Sequence, residues 1–418
     1  MSAKKINFWK IETDFPDPTC GYKWAWSTVN LMSGETSSCH RVHGDYITAE
    51  NFSTFHNTKT KIKTRQKMLD GEWPGLGCEY CRDIEHAGGL SDRLDFNTNE
   101  YNVRYVPGKL NGTHADPTIL EMYFTNLCNL GCIYCAPRYS SVLEAEAKKF
   151  PEITWPITDA RRPDTYEDRL NAFWKWFDTG VNSLRKYHIL GGEPFFQKEL
   201  IDNIEFFEKR CLPELELAIF SNLKVPEEKF KNLLTRLENL KKDGKLKSVR
   251  IVCSLDCWGP QQEYIRTGLN INNWKNNFET LVHDFKYIDI EIHGTVTALS
   301  VKTMPELIYK WKKWDTIRKP NGGVVLSYNI CFNPSHMHPG IFPKDYFKKE
   351  FDLMYNTLNH TGPEYETLKG FELLINNTAR DKSRISKLRD ELRGFDSRRG
   401  TDHETLFPWF VKYCEEVL

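Results

Sequence analysis

From about residue 117 onward, short β-rich runs alternate with amphipathic helical stretches, and this alternation leaves the chain few folds to choose from. The expected strands are Ile119–Phe124, Tyr187–Leu190, Leu215–Phe220, Ser248–Ser254, Ile288–Val296 and Val324–Cys331. Each fits the strand template of four to eight residues or slightly exceeds it. Between them, apolar residues recur at three and four: Leu170, Phe173, Phe177 and Leu184; Leu200, Ile204 and Phe207; Phe230, Leu234 and Leu237; Trp274, Phe278 and Leu281; Leu307, Ile308, Trp311 and Trp314. That spacing predicts helices. Pro305 suits a first helical turn, with Thr303 as a cap. Right-handed crossovers turn a βαβαβαβαβαβ series into a parallel sheet or barrel whose ligands lie at the carboxyl ends of the strands.

The flanks read differently. Residues 1–115 are loop-rich and are expected to form a separate small domain, followed by a barrel over 116–340 and a helical cap over 341–418. The 57 basic residues balance the 57 acidic ones, which argues against a duplex nucleic-acid coat or a polybasic membrane binder. The start of the chain shows no apolar segment after its first lysines, and no stretch approaches the roughly 18 apolar residues of a membrane span. A cytoplasmic protein with no membrane partner is therefore expected.

In a reducing compartment, 12 cysteines point to metal or redox chemistry rather than a disulfide framework. Cys128, Cys132 and Cys135 form a C-x3-C-x2-C loop just after the first strand. Three thiolates so spaced can take three irons of one cubane cluster and leave the fourth iron open. Cys20, Cys39, Cys78 and Cys81 make a second set, whose four ligands suit either a closed cluster or structural zinc. Of the other cysteines, Cys211, Cys253 and Cys414 are expected to be packing residues, whereas Cys257 and Cys331 stand at or just beyond strand ends.

The three-cysteine loop resembles the signature of radical S-adenosylmethionine (SAM) enzymes, and the order of elements behind it resembles that family's partial (β/α)6 barrel. Gly191-Gly192-Glu193-Pro194, directly after the second strand, is similar to the family's GGEP motif, which contacts the methionyl amine of SAM. Ser221-Asn222 falls where relatives carry a Ser/Thr-Asn pair. Ser254, Asp256 and Arg266 resemble the segment that binds the SAM ribose and carboxylate in the sugar, peptide and sulfatase-maturing branch, and Tyr134 matches the aromatic position near adenine. The resemblance covers about 117–335.

It implies a three-cysteine 4Fe-4S cluster, SAM as cosubstrate, an electron donor such as a flavodoxin or ferredoxin, and a 5'-deoxyadenosyl radical that takes a hydrogen atom from substrate. The first 115 residues are similar to a twitch-like domain, which implies a second, auxiliary 4Fe-4S cluster on Cys20, Cys39, Cys78 and Cys81. The expected substrate is an amino acid or peptide undergoing C–H modification, cross-linking, oxidation or isomerisation. The alternative is radical modification of a nucleobase or nucleotide, including those of phage DNA, and a non-enzymatic iron-sulfur electron carrier or sensor is the reading of another class. Cys257, Cys331, Tyr328 and His336 are candidates for a proton or hydrogen-atom donor, and Glu263 and Asn333 also fall on the expected active-site loops.

Overall fold

Strict alternation of apolar and polar residues marks one strand in particular, Asp289–Val296, in which Ile290, Ile292 and Val296 are buried while Glu291, His293 and Thr295 are only half-buried. Such a period-two pattern places one face on a core and turns a polar face the other way. The computed structural model describes residues 17–42, 44–75, 77–86, 88–106, 112–151, 163–378 and 380–418. The residues read above for the start of the chain, 1–16, lie outside the described residues.

Eleven strands occur among the described residues: β1 Trp26–Asn30, β2 Glu35–Ser37, β3 Asp45–Tyr46, β4 Ile119–Tyr123, β5 Gly131–Cys132, β6 Lys186–Leu190, β7 Leu212–Ser221, β8 Leu246–Ser254, β9 Arg266–Thr267, β10 Asp289–Val296 and β11 Val324–Ile330. By contact the chain separates into two compact units. One comprises Met1–Thr125, Pro156–Gly191 and Leu212–Ala218, and the other Asn126–Trp155, Gly192–Cys211 and Ile219–Leu418.

In the first unit the strand order is β7-β6-β4-β1-β2-β3. β1 runs parallel to β4, from Trp26 opposite Ile119 to Asn30 opposite Tyr123, and β4 runs parallel to β6; β2 and β3 follow antiparallel. The N-terminal segment is thus less loop-like than its sequence suggests, because β1 to β3 are short and polar. Much of it is organised around two buried basic side chains, Arg65 and Lys61. Arg65 donates to the backbone carbonyls of Lys23 (2.6 Å), His56 (2.8 Å) and Thr113 (2.8 Å), and Lys61 donates to Ser27 (3.0 Å), Thr36 (2.8 Å) and the Phe55 carbonyl (2.7 Å). Each hydrogen bond to a charged donor stabilises more than a neutral one, so carbonyls that no ladder uses are satisfied by side chains.

In the second unit the order is β11-β10-β8, all parallel. The intervening helices, Lys198–Glu208, Glu227–Lys242, Ile271–Asp284 and Met304–Arg318, bury the residues that their periodicity marks, including Phe230, Leu234, Leu237, Trp274, Phe278, Leu281, Leu307 and Ile308. Thr303 is the N-cap residue of the last of these and Pro305 lies in its first turn, but the Thr303 hydroxyl makes no capping bond. The mostly parallel sheet is an α/β fold in open order, with no closed barrel among the described residues. Residues after 341 are helical as expected, in Lys348–Thr357, Pro363–Asn377, Lys382–Arg399, His403–Leu406 and Pro408–Val417. Cys414 is buried and Cys253 fully so. Cys211 is exposed: its helix stops at Glu208, so the apolar stripe expected to bury it ends before reaching it. Among the described residues no helix is long and apolar enough to cross a membrane.

Candidate active site

The loop that carries Cys128, Cys132 and Cys135 is built by pairing with distant backbone. β5 pairs antiparallel with β9, which sets Cys132 opposite Arg266, and the Ile133 amide donates to the Ile265 carbonyl at 2.9 Å. At the other end of the loop, the Cys128 amide donates to Ser141 Oγ (3.1 Å), and that hydroxyl returns a bond to the Cys128 carbonyl (3.0 Å). Arg399, from the C-terminal helices, donates to the Gly131 carbonyl (2.8 Å) and Thr267 Oγ1 (3.0 Å). The extension therefore clamps both strands of the little ribbon.

Burial pushes all three thiols up, Cys135 to about 11, and the charge of Cys128 adds to the rise at both Cys132 and Cys135. Thiols this close and this dry are ionised only when a metal takes their protons' place. Among the described residues no three His, Cys, Asp or Glu side chains converge on one metal ion; the thiolates of a cubane each take a different iron.

Two polar knots flank the loop. The first is centred on Glu193, whose side chain is fully buried. Its carboxylate accepts from the Ser221 hydroxyl (2.8 Å), the Asn222 amide (2.6 Å) and the Phe195 amide (3.2 Å). The Asn222 carboxamide in turn donates to Asn129 Oδ1 (3.0 Å) and to Cys128 Sγ (3.8 Å). Glu193 thus joins the GGEP turn to the Ser-Asn turn with its own side chain, and the motif offers backbone rather than that carboxylate. Glycine is required at Gly192: φ is +55°, and a Cβ would lie 2.2 Å from the Leu127 carbonyl oxygen. Leu223, just after Asn222, holds φ at +56° without being glycine, a strain of the sort that concentrates at functional turns.

Burial pushes the Glu193 carboxyl up to about 7 against its hydrogen-bond donors. A carboxyl raised in the folded state holds its proton longer than in the unfolded chain, so its contribution to stability is complete below about 4.5 and is lost as pH rises through about 7. Unfolding free energy should therefore fall across that window by at most about 1.4 kcal/mol per pH unit. Denaturant titrations at pH 5, 6 and 7 check this, and Glu193→Gln should flatten the slope; an identical slope in the variant would assign it elsewhere.

The second knot is Asp256. Its fully buried carboxylate takes two parallel bonds from Arg266 (both 2.9 Å), the Tyr134 hydroxyl (2.9 Å) and the Thr295 amide (2.8 Å). Burial drives the Tyr134 hydroxyl well above its ordinary value, with Asp256 adding to the rise; the same carboxylate holds Arg266 firmly charged, against burial. A carboxylate with this many donors is a fixed anchor rather than a base. Ser254, half-buried, ends β8 two residues earlier.

The other candidates scatter. Cys257 is buried, donates to Gln262 Oε1 (3.3 Å) and lies beside Thr303. Cys331 contacts the Asn333 carbonyl at 3.5 Å, and burial raises it to about 12. Tyr328 alternates with the polar Ser327 and Asn329 on β11 and is buried on the opposite face. His336 is buried against Glu391 of the C-terminal helices, and Glu263 accepts from the Ile271 amide (2.8 Å), fixing a helix start. None of these four candidates joins the cysteine loop.

Residues 122–290 match the family described as the Radical SAM superfamily. That span is a radical SAM domain, which marks the chain as an enzyme. No curated protein matches it. The matched span holds the three-cysteine loop, the Glu193 knot and the side chains of Asp256, Arg266 and Tyr134, and such a domain implies a 4Fe-4S cluster and SAM. Their site is compatible with the residues present: one buried and two half-buried thiols, a glycine turn with no room for a Cβ, and a charged anchor suit the donor set that such a pair requires.

In the first unit, Cys39, Cys78 and Cys81 lie near enough to Cys20 for their charges to act on it. Burial raises Cys20 to about 12, opposed by Lys23, while Cys39, Cys81 and Cys78 each raise it further. Lys23 is itself buried, donates to Ser38 Oγ (3.2 Å) and hydrogen-bonds Cys78. Sequence reasoning missed the hydrogen-bonded set Arg250, Glu291, Ser327 and His293, whose signal was the polar half of the alternation in β10.

Proposed function

We propose that this radical SAM enzyme acts on a C–H bond of an amino-acid or peptidyl substrate, with one 4Fe-4S cluster on Cys128, Cys132 and Cys135 and an auxiliary one on Cys20, Cys39, Cys78 and Cys81. When bound and reduced by a flavodoxin- or ferredoxin-like donor, the three-cysteine cluster with SAM supplies a 5'-deoxyadenosyl radical. The observation that carries this reading is the grouping around one short ribbon of the three-cysteine loop, the Glu193 turn bonded through Asn222 to Cys128, and the Asp256–Arg266–Tyr134 anchor.

The chain's own residues divide the work. Asn222 holds Cys128 through its sulfur, a contact of the outer-shell kind that tunes a centre. The backbone at Gly191 and Gly192 offers polar groups to the methionyl end, and Tyr134 and Arg266 line the place for the nucleoside and carboxylate. Fixing both ends of a cosubstrate before reaction removes orientational freedom from the barrier. In the first unit, Lys23 favours the ionised form of two of the four thiols, Cys20 and Cys78, against their burial. The amino-acid assignment rests on the resemblance of Ser254 to Arg266 to the peptide-modifying branch.

Anaerobically purified protein should contain about eight irons per chain. About four iron atoms, with zinc in place of the rest, would remove the auxiliary cluster. For the substrate, reactions supplied with perdeuterated amino acids or peptides should yield deuterated 5'-deoxyadenosine by mass spectrometry. Deuterium arriving only from a perdeuterated nucleotide pool would overturn the substrate class.

A further inference from the structure

Beside the Asp256 anchor, on the polar face of β8, β10 and β11, stands a chain of groups that neither the cysteine loop nor the SAM residues use. Arg250 Nη1 donates to Glu291 Oε2 (2.9 Å), Ser327 Oγ donates to Glu291 Oε1 (2.5 Å), and Ser327 Oγ meets His293 Nδ1 (2.7 Å). Asn329 Nδ2 faces His293 Nε2 at 3.3 Å. The register of the sheet makes this one continuous face, since Ser254 pairs with His293, and His293 with Ser327. Two residues further along β10, the Thr295 amide binds Asp256.

Donor and acceptor counting fixes the state of the ring. A carboxylate paired with arginine only accepts, so the single hydroxyl proton of Ser327 is spent on Glu291. The Ser327 oxygen must then accept, and among the described residues the group offered to it is Nδ1–H of His293. His293 is thereby held with its proton on Nδ1 and a bare lone pair on Nε2, towards which Asn329 points a donor. Burial and the Arg266 charge disfavour the imidazolium, against Glu291 and Asp256, so the ring stays neutral. The charged groups around it are Arg250 on β8, Glu291 on β10, Asp256 after β8 and Arg266 on β9; Phe220 of β7 lies against the ring at 6.4 Å between centroids.

We propose that His293 is a base of the reaction, that its Nε2 receives a proton from an O–H or N–H group beside the substrate carbon that loses its hydrogen atom, and that Glu291 and Ser327 position it. The inference rests on the radical SAM reading and narrows its substrate to molecules with such a donor, as an amino acid's amine or a hydroxylated side chain provides. In the step, the substrate X–H bond breaks with both electrons remaining on X, and an Nε2–H bond forms. The ring exchanges no electrons, and the imidazolium, supported through Ser327 by Glu291, returns the proton to water.

Glu291→Gln is the decisive variant. Arg250 would claim the carboxamide oxygen and turn its NH2 towards Ser327, so the hydroxyl must accept there and donate to Nδ1. The His293 proton then moves to Nε2, and the base is blocked with the fold unchanged. In holoenzyme labelled with 15N-histidine, the signals lost in His293→Gln should report Nδ1–H and bare Nε2 near pH 7, and the opposite tautomer in Glu291→Gln. Diethylpyrocarbonate acylates a bare imidazole nitrogen and expels ethyl carbonate. Peptide mapping should find His293 acylated in the wild type and at least tenfold more slowly in Glu291→Gln. A wild-type ring protonated on Nε2 or on both nitrogens, or equal acylation in the two proteins, would overturn the proposal. Either result leaves iron content and SAM cleavage, which test the radical SAM reading, to be judged separately.

Discussion

Cys128→Ala is expected to abolish reductive SAM cleavage while leaving the chain folded and about half of its iron in place. Losing an outer-shell partner of a metal costs roughly 10–100-fold; losing one of three ligands should cost more, because Cys132 and Cys135 cannot occupy the position that Ser141 and Asn222 build for Cys128. The loop should survive the substitution. It is held by backbone pairing of Gly131 and Cys132 with Thr267 and Arg266, and by Arg399 on the Gly131 carbonyl, none of which involves the Cys128 sulfur. Asn222→Ala supplies the graded comparison, with cleavage reduced within that outer-shell range and iron retained. The measurement is 5'-deoxyadenosine formed from SAM under dithionite, together with iron per chain. Cleavage by Cys128→Ala at the wild-type rate would refute the assignment of this loop.

Much of this site could be read from residues alone, and what could not be read has definite physical causes. The three-cysteine loop, the Gly-Gly turn and the strand-end Ser-Asn and Ser-x-Asp carry their information locally, because close spacing and backbone needs are written into consecutive positions. The long strands of the sheet were equally legible, since runs such as Ile288–Val296 and Ser248–Ser254 announce themselves by branched residues in alternation. Contacts between distant positions were not legible. Nothing in Trp26–Asn30 shows that it will pair with Ile119–Tyr123, because five residues with three polar ones fit a loop equally well. The GGEP motif marks Glu193 locally, but nothing beside it in the chain shows that its side chain is bonded by Ser221 and Asn222, 28 and 29 residues away. Tyr328 looked available at a strand end until register assigned it to the buried face. Ser327, one residue earlier and unremarked in the sequence, is the one that reaches His293.

Arg266→Leu should be among the most destabilising single changes in the second unit. Asp256 would remain fully buried, stripped of a bidentate cation and left with the Tyr134 hydroxyl and the Thr295 amide as its donors. Removing one partner of a buried pair costs about 3–5 kcal/mol, because the remaining charge has neither water nor a counter-ion. Lost packing of the arginine stem adds to this. The charge explanation separates from packing through Asp256→Asn in the same chain: the carboxamide oxygen can keep the Thr295 N–H and the Tyr134 hydroxyl while no net charge is buried. The double variant should therefore be more stable than Arg266→Leu alone, with a coupling within the 0.5–3 kcal/mol seen for interacting neighbours. Its SAM affinity should nevertheless stay as poor as that of the single variant, since neither side chain then offers a cation to the cosubstrate carboxylate. Denaturant midpoints of the two singles and the double give the coupling, and calorimetric titration with SAM gives the affinity. A double variant no more stable than Arg266→Leu would show that shape rather than charge holds this corner, and recovered SAM binding would remove Arg266 from the cosubstrate site.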